Sequence, residues 1–181
     1  MRVVFGQQTI SISFKGGIGL NAKEIWTDLR IEDGVIFVGE RSVRTGATKQ
    51  DIRKEFGDVL AQTVKGTKGT AFYLSPSLIG HANSAVITLG KKFFDWFFVY
   101  GEGRDFAESG EDSSDLEAMK ENARLVFEEM TLRLKKWLPD AKFRNGETLR
   151  KFFGENFTVT LEWAQEGTGV SLHVGRPSLR R

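Results

Sequence analysis

The groups best suited to moving a proton in this chain are two histidines, His81 and His173, and one carboxylate, Asp95, set inside a run of aromatic residues. His81 lies in the small-residue segment Leu78-Ile79-Gly80-His81-Ala82-Asn83-Ser84, a loop between two predicted strands, where catalytic side chains are often presented. A histidine acting as general base needs a carboxylate to orient its ring, and Asp95 or Glu102 could serve. The candidate catalytic set is therefore His81, Asp95 and Glu102, as in a small hydrolase or transferase. Nothing in the spacing brings the three together, and a lone loop histidine most often makes only a structural hydrogen bond. His173, near the end of the last strand, ranks below His81.

A second group of residues suits anions. Lys15-Gly16-Gly17-Ile18-Gly19 could approach a phosphate closely if a helix follows it, and Lys65-Gly66-Thr67-Lys68-Gly69 has a similar composition. Arg41, Arg44, Arg53 and Lys54 could form a basic patch beside a predicted helix, and a short basic tail (176–181) ending in Arg180 and Arg181 could add to it by folding back. The nucleic-acid or anion candidates are thus Lys15, Arg41, Arg44, Lys65, Lys68, Arg180 and Arg181. The bland reading of each loop is a turn, and of the patch a wet surface. Lys plus Arg against Asp plus Glu is 13 against 9 over residues 1–100, 6 against 11 over 101–140 and 7 against 4 over 141–181, so the segments carry +4, −5 and +3. That segregation is milder than the dense basic surface of most nucleic-acid-binding domains.

Several chemistries are excluded. With no cysteine there are no disulfides, thiolate metal sites or cysteine nucleophiles. With two histidines and no HExxH spacing, a structural zinc site is not expected. The chain also lacks GxxxxGK[ST], a strand-borne GxGxxG and GxSxG, which removes the familiar NTPase, dehydrogenase and α/β-hydrolase signatures. No cofactor is expected. The acidic stretch from Glu102 to Asp115 has neither the alternating aspartates nor the central glycine of a calcium loop, and reads as a solvated loop.

The elements that must position these groups are organised around Phe93–Tyr100, FFDWFFVY. Alternate residues point to opposite faces of a strand, so both faces of this one are largely apolar and both need cover. It reads as an interior strand, and each large ring buried there contributes roughly 2 kcal/mol. Asp95 is the exception: a carboxylate among rings must be paired, reached by solvent, or shifted upward in pKa. It lies at a sheet margin or marks a site.

Two helices are predicted to cover that sheet. Thr48 with Asp51, then Ile52, Phe56, Val59, Leu60 and Val64 on one face, predict a helix over 49–65. Ser114 and Glu117, then Leu116, Met119, Ala123, Val126, Met130, Leu134 and Trp137, predict a longer one over 115–138, stopped by Pro139. Strands are expected at 2–5, 8–14, 35–38, 70–74, 85–89, 157–163 and 170–174, with 85–89 and 93–100 forming a hairpin. Residues 22–30 fit a short helix after an Asn21 cap, or a strand running into the Asp33-Gly34 turn. Residues 147–153 fit a short amphipathic helix through Leu149, Phe152 and Phe153.

The expected fold is α+β: a mostly antiparallel sheet with central strand 93–100, covered by helices 49–65 and 115–138. At 181 residues, 40% hydrophobic and 28% charged, the chain suits one globular domain over 1–181. No 18-residue apolar run or secretory leader pattern occurs, so a soluble, cytoplasmic protein is expected. The favoured function is a non-enzymatic protein–protein interaction or assembly subunit of a larger complex, with a protein partner or self-association. Nucleic-acid binding through the basic flanks and aromatics is the runner-up, and catalysis through His81 comes third.

Overall fold

The run at the centre of the sequence is also at the centre of the sheet. The computed structural model describes residues 2–5, 8–11, 28–67, 69–75, 84–90, 94–100, 113–164 and 169–176. In chain order these form β1 (Arg2–Phe5), β2 (Gln8–Ser11), β3 (Leu29–Glu32), β4 (Val35–Val38), β5 (Arg41–Arg44), α1 (Lys49–Phe56), a single 3-10 turn (Gly57–Val59), β6 (Leu60–Lys65), β7 (Gly69–Leu74), β8 (Ser84–Gly90), β9 (Phe94–Tyr100), α2 (Ser113–Trp137), β10 (Lys142–Arg144), β11 (Leu149–Phe153), β12 (Thr158–Trp163) and β13 (Val170–Gly175). Eight strands make one antiparallel sheet in the order β10-β11-β12-β13-β9-β8-β7-β6, which places β9 fifth of eight. β3-β4-β5 make a second sheet, and β1-β2 a two-stranded ribbon. The architecture is α+β, as expected.

Local chemistry accounts for the small sheet. Asp33 and Gly34 both have positive φ, 45° and 74°, the type I′ geometry whose twist matches two antiparallel strands. The β4–β5 turn puts Gly39 at φ 59° in its first position. Of the two readings offered for residues 22–30, the strand holds for Leu29–Glu32; residues 22–27 lie outside the described residues.

The helix expected over 49–65 is corrected to eight residues. α1 ends at Phe56, and Leu60–Lys65 pairs with β7 instead. Positions four apart share a face in a helix and in a strand alike, so Phe56, Leu60 and Val64 satisfied both periods. Pairing with β7 then decided the matter. The helix expected over 147–153 is likewise a strand, with Phe152 turned into the core beside Val159. The helix expected over 115–138 is found at Ser113–Trp137, and the hairpin of 85–89 with 93–100 is found as β8–β9.

One face of the large sheet carries the main core. Phe72, Leu74, Ile87, Trp96, Phe152, Val159, Leu161, Leu172 and Val174 meet the small sheet's Leu29, Ile31, Ile36 and Val38, α1's Ile52 and Phe56, and α2's Ala123, Val126, Phe127, Met130 and Leu134. Arg150 on β11 fastens α2 in place: its guanidinium donates to both Glu128 carboxylate oxygens, at 2.7 and 2.8 Å, and stacks 4.3 Å from the Phe127 ring. Among the described residues, no helix is long and apolar enough to cross a membrane.

Candidate functional site

Asp95 sits on the face of the large sheet opposite the main core. In register it faces Thr88 on β8 and Gly175 on β13, and two residues along β13 stands His173, its diagonal neighbour on the same face. Thr160 on β12 lies directly across from His173, and Glu162, two residues further, is diagonal to it. Thr88 is buried and Asp95 half-buried, on an interior strand but one residue from its start and opposite the last residue of β13. Burial pushes the Asp95 carboxyl up, and the positive field of His173 partly counters this. Desolvation by the surrounding sheet holds the His173 ring below its usual range, with Asp95 and Glu162 pulling it back. The raised carboxyl and the lowered imidazole bring the two titrations closer together, each felt by the other as a charge.

The sequence pointed Asp95 toward His81. The described electrostatic partner of Asp95 is His173, on a strand 78 positions away. No local pattern carries that information, because β13 joins β9 by a non-sequential pairing. His81, Glu102, Lys15, Lys68, Arg180 and Arg181 lie outside the described residues.

A second feature is a groove of about 420 Å³ between β5 and α1, lined by Ser42, Arg44, Thr45, Asp51, Lys54 and Glu55 over a floor of Val43 and Ala47. The α1 N-terminus at its edge is closed by a capping box: Thr48 Oγ1 accepts from Asp51 N, and the Asp51 carboxylate accepts from Thr48 N at 2.7 Å. These bonds hold the Asp51 carboxyl below its usual range. Arg44 and Lys54 from the predicted basic patch line this groove, whereas Arg41 is engaged elsewhere. Its guanidinium makes a two-pronged pair with Asp58, at 2.7 and 2.8 Å, and also donates to the Glu55 carbonyl. Arg176, the first residue of the basic tail, donates its Nη2 to the Gly46 carbonyl at 3.4 Å, and residues 177–181 lie outside the described residues.

The third feature is the edge of the large sheet at β6. The bond from Gly66 N to Gly69 O closes the β6–β7 turn, so strand alternation points the N–H and C=O of Thr63 and Lys65 away from β7. Ala61, Gln62, Thr63 and Lys65 are all exposed.

The far edge of the large sheet and both edges of the small sheet are blunted. β10, the far edge, has only three residues, two of them Lys142 and Arg144. On β5 the edge N–H of Ser42 is taken by Glu55 Oε1 at 2.9 Å. β3 carries Arg30 and Glu32, paired at 3.3 Å. β6 alone among these has an uncharged stretch, Leu60 to Val64.

Among the described residues, no group of three or more His, Asp or Glu side chains could hold a metal ion. In comparison with known proteins, the chain matches no protein family, no curated protein and no solved structure.

Proposed function

We propose that the protein is a non-enzymatic assembly subunit that takes up its protein partner by strand addition at β6. The observation that carries this reading is the contrast between edges: β6 offers exposed, uncharged ladder positions at Thr63 and its neighbours, while β10, β5 and β3 are shortened, charged or capped. An extended segment laid along β6 gains main-chain hydrogen bonds at Thr63 and Lys65. The half-buried Leu60 and Val64 give it apolar positions to alternate against. Charge complementarity favours a partner segment that is uncharged through its middle and places an acidic residue beside Lys65.

The experiment is affinity capture from the protein's own source, followed by hydrogen exchange on the reconstituted complex, using wild type and Thr63→Pro. Proline at an outward-facing position removes the exposed donor without touching the β6–β7 ladder. The expected result is a stoichiometric partner that protects the Thr63 and Lys65 amides and is lost in Thr63→Pro. A strict monomer by light scattering with no stoichiometric partner overturns the assembly role. A partner that still binds Thr63→Pro, leaving those amides unprotected, overturns the strand-addition mode.

A further inference from the structure

The groove between β5 and α1 has the charge balance and donor geometry of an anion site. Five ionisable residues meet there. Arg44 and Lys54 stand on its two walls, Asp51 and Glu55 line it, and Arg176 reaches its rim at Gly46. The carboxylates are already engaged by the protein: Asp51 Oδ2 accepts from Thr48 N and from Thr48 Oγ1, both at 2.7 Å, and Glu55 Oε1 accepts from Ser42 N. The cations are held less closely: the charge of Lys54 reaches Asp51 without a close ion pair, and Arg176 bonds only a carbonyl. Among the described residues neither Arg44 nor Lys54 forms an ion pair within 4 Å, in contrast to Arg41, three positions before Arg44, which Asp58 neutralises.

The rim residue is placed by backbone geometry. Gly46 holds φ at 96°, and a Cβ there would collide with the Arg176 guanidinium, so glycine lets the cation lie against the turn. The Gly46 carbonyl takes one bond from Nη2, and among the described residues the rest of that planar fork has no partner. Three cations against two engaged carboxylates leave a net +1 before any ligand binds. The volume, about 420 Å³, is in the range of pockets for small molecules. Guanidinium groups match phosphate oxygens two at a time, and a lysine adds a point charge.

We propose that this groove binds a small phosphate-bearing molecule, its phosphate held by Arg44, Lys54 and Arg176. Ser42 and Thr45, which also line it, supply hydroxyl donors for the remainder of the ligand. A nucleic-acid strand fits less well, because it needs a basic track extending beyond one groove. Here the adjoining surface carries exposed Glu40 and Asp58, and Arg41 is consumed by its pair.

The test is calorimetric titration of the full chain with inorganic phosphate, adenosine 5′-monophosphate, adenosine and a single-stranded oligonucleotide. Saturable binding of phosphate and of the monophosphate, and none of adenosine, is the expected result. Arg44→Ala and Lys54→Ala should each weaken it about tenfold, the loss of one charge-assisted hydrogen bond. Arg53→Ala, exposed on α1 but outside the groove, should leave it unchanged. Circular dichroism of each variant separates lost binding from lost fold. The proposal is overturned by no saturable binding up to roughly 10 mM of either phosphate probe, a concentration at which a mM site is mostly filled. It is equally overturned by variants in Arg44 and Lys54 that fold and bind as wild type. Tighter binding of the oligonucleotide, with Arg53→Ala impaired as much as Lys54→Ala, would replace it with a nucleic-acid surface.

Discussion

Phe56, the last residue of α1, packs its ring 5.5 Å from that of Trp96 at an angle of 58°. Both are buried, at 0% and 1% exposure, so this contact ties the helix to the central strand β9. Phe56→Ala should cost about 3–5 kcal/mol, through lost transfer energy plus an unfilled cavity. Urea unfolding checks it: the midpoint should drop while the slope stays that of wild type.

Gly34 and Gly39 offer a paired test of two turns. Each has positive φ, so alanine costs about 1–2 kcal/mol at either for the backbone alone. At Gly34 a Cβ would also lie 2.9 Å from Thr45 Oγ1 and 3.2 Å from the Phe157 ring, whereas at Gly39 it meets nothing within 4 Å. Gly34→Ala should therefore be clearly the more destabilising of the two. Equal melting temperatures for the two variants would refute the contact.

Asp95→Asn should stabilise the fold at neutral pH. Burial raises the folded carboxyl above its unfolded value, so ionising it opposes folding. The penalty is fully present above the folded pKa and vanishes as the pH falls below the unfolded one. The gap between variant and wild type, measured by urea unfolding, should therefore be widest near pH 7 and close in acid. His173 runs the other way. Its folded pKa is depressed, so the protein loses stability as the pH falls through the unfolded histidine value toward the folded one.

Glu128 responds to acid in the opposite sense from Asp95. The Arg150 guanidinium holds its carboxyl below the usual range, so its contribution is present above the unfolded pKa and lost as the pH falls through the folded one. Glu128 is 46% exposed, and solvent screening keeps that contribution under about 1 kcal/mol. Arg150 is only 11% exposed, also reaches Thr131 Oγ1 and covers the Phe127 ring. Arg150→Ala should thus cost more, about 2–3 kcal/mol, since charged hydrogen bonds are lost along with packing. Thermal melts of Arg150→Ala and Glu128→Gln at neutral pH and near pH 4 distinguish the two.

The fold is legible in the sequence where one period stands alone. The stripe from Ala123 to Leu134 fits a helix and no strand, and Asp33-Gly34 between apolar runs fits a hairpin. The fold is not legible where two periods coincide, as at Phe56, Leu60 and Val64, or where a short segment such as 149–153 takes its conformation from the strand beside it. The candidate sites were half legible. Asp95 was conspicuous by type, and Arg44 and Lys54 by local charge. His173 beside Asp95, Asp58 on Arg41 and Arg176 on Gly46 had no local signal at all.

The sequence alone determined the aromatic central strand, the long amphipathic helix, the tight turns and the lack of any thiol chemistry, because these follow from side-chain type and spacing over a few residues. Only the tertiary structure decided that β13 lies against β9, that β6 is a sheet edge uncharged from Leu60 to Val64, and that the carboxylates of the β5–α1 groove are hydrogen-bonded while, among the described residues, Arg44 and Lys54 form no close ion pair. Strand order and ion pairing join residues far apart in the chain. They are chosen by which faces can be buried together, a choice no local period encodes.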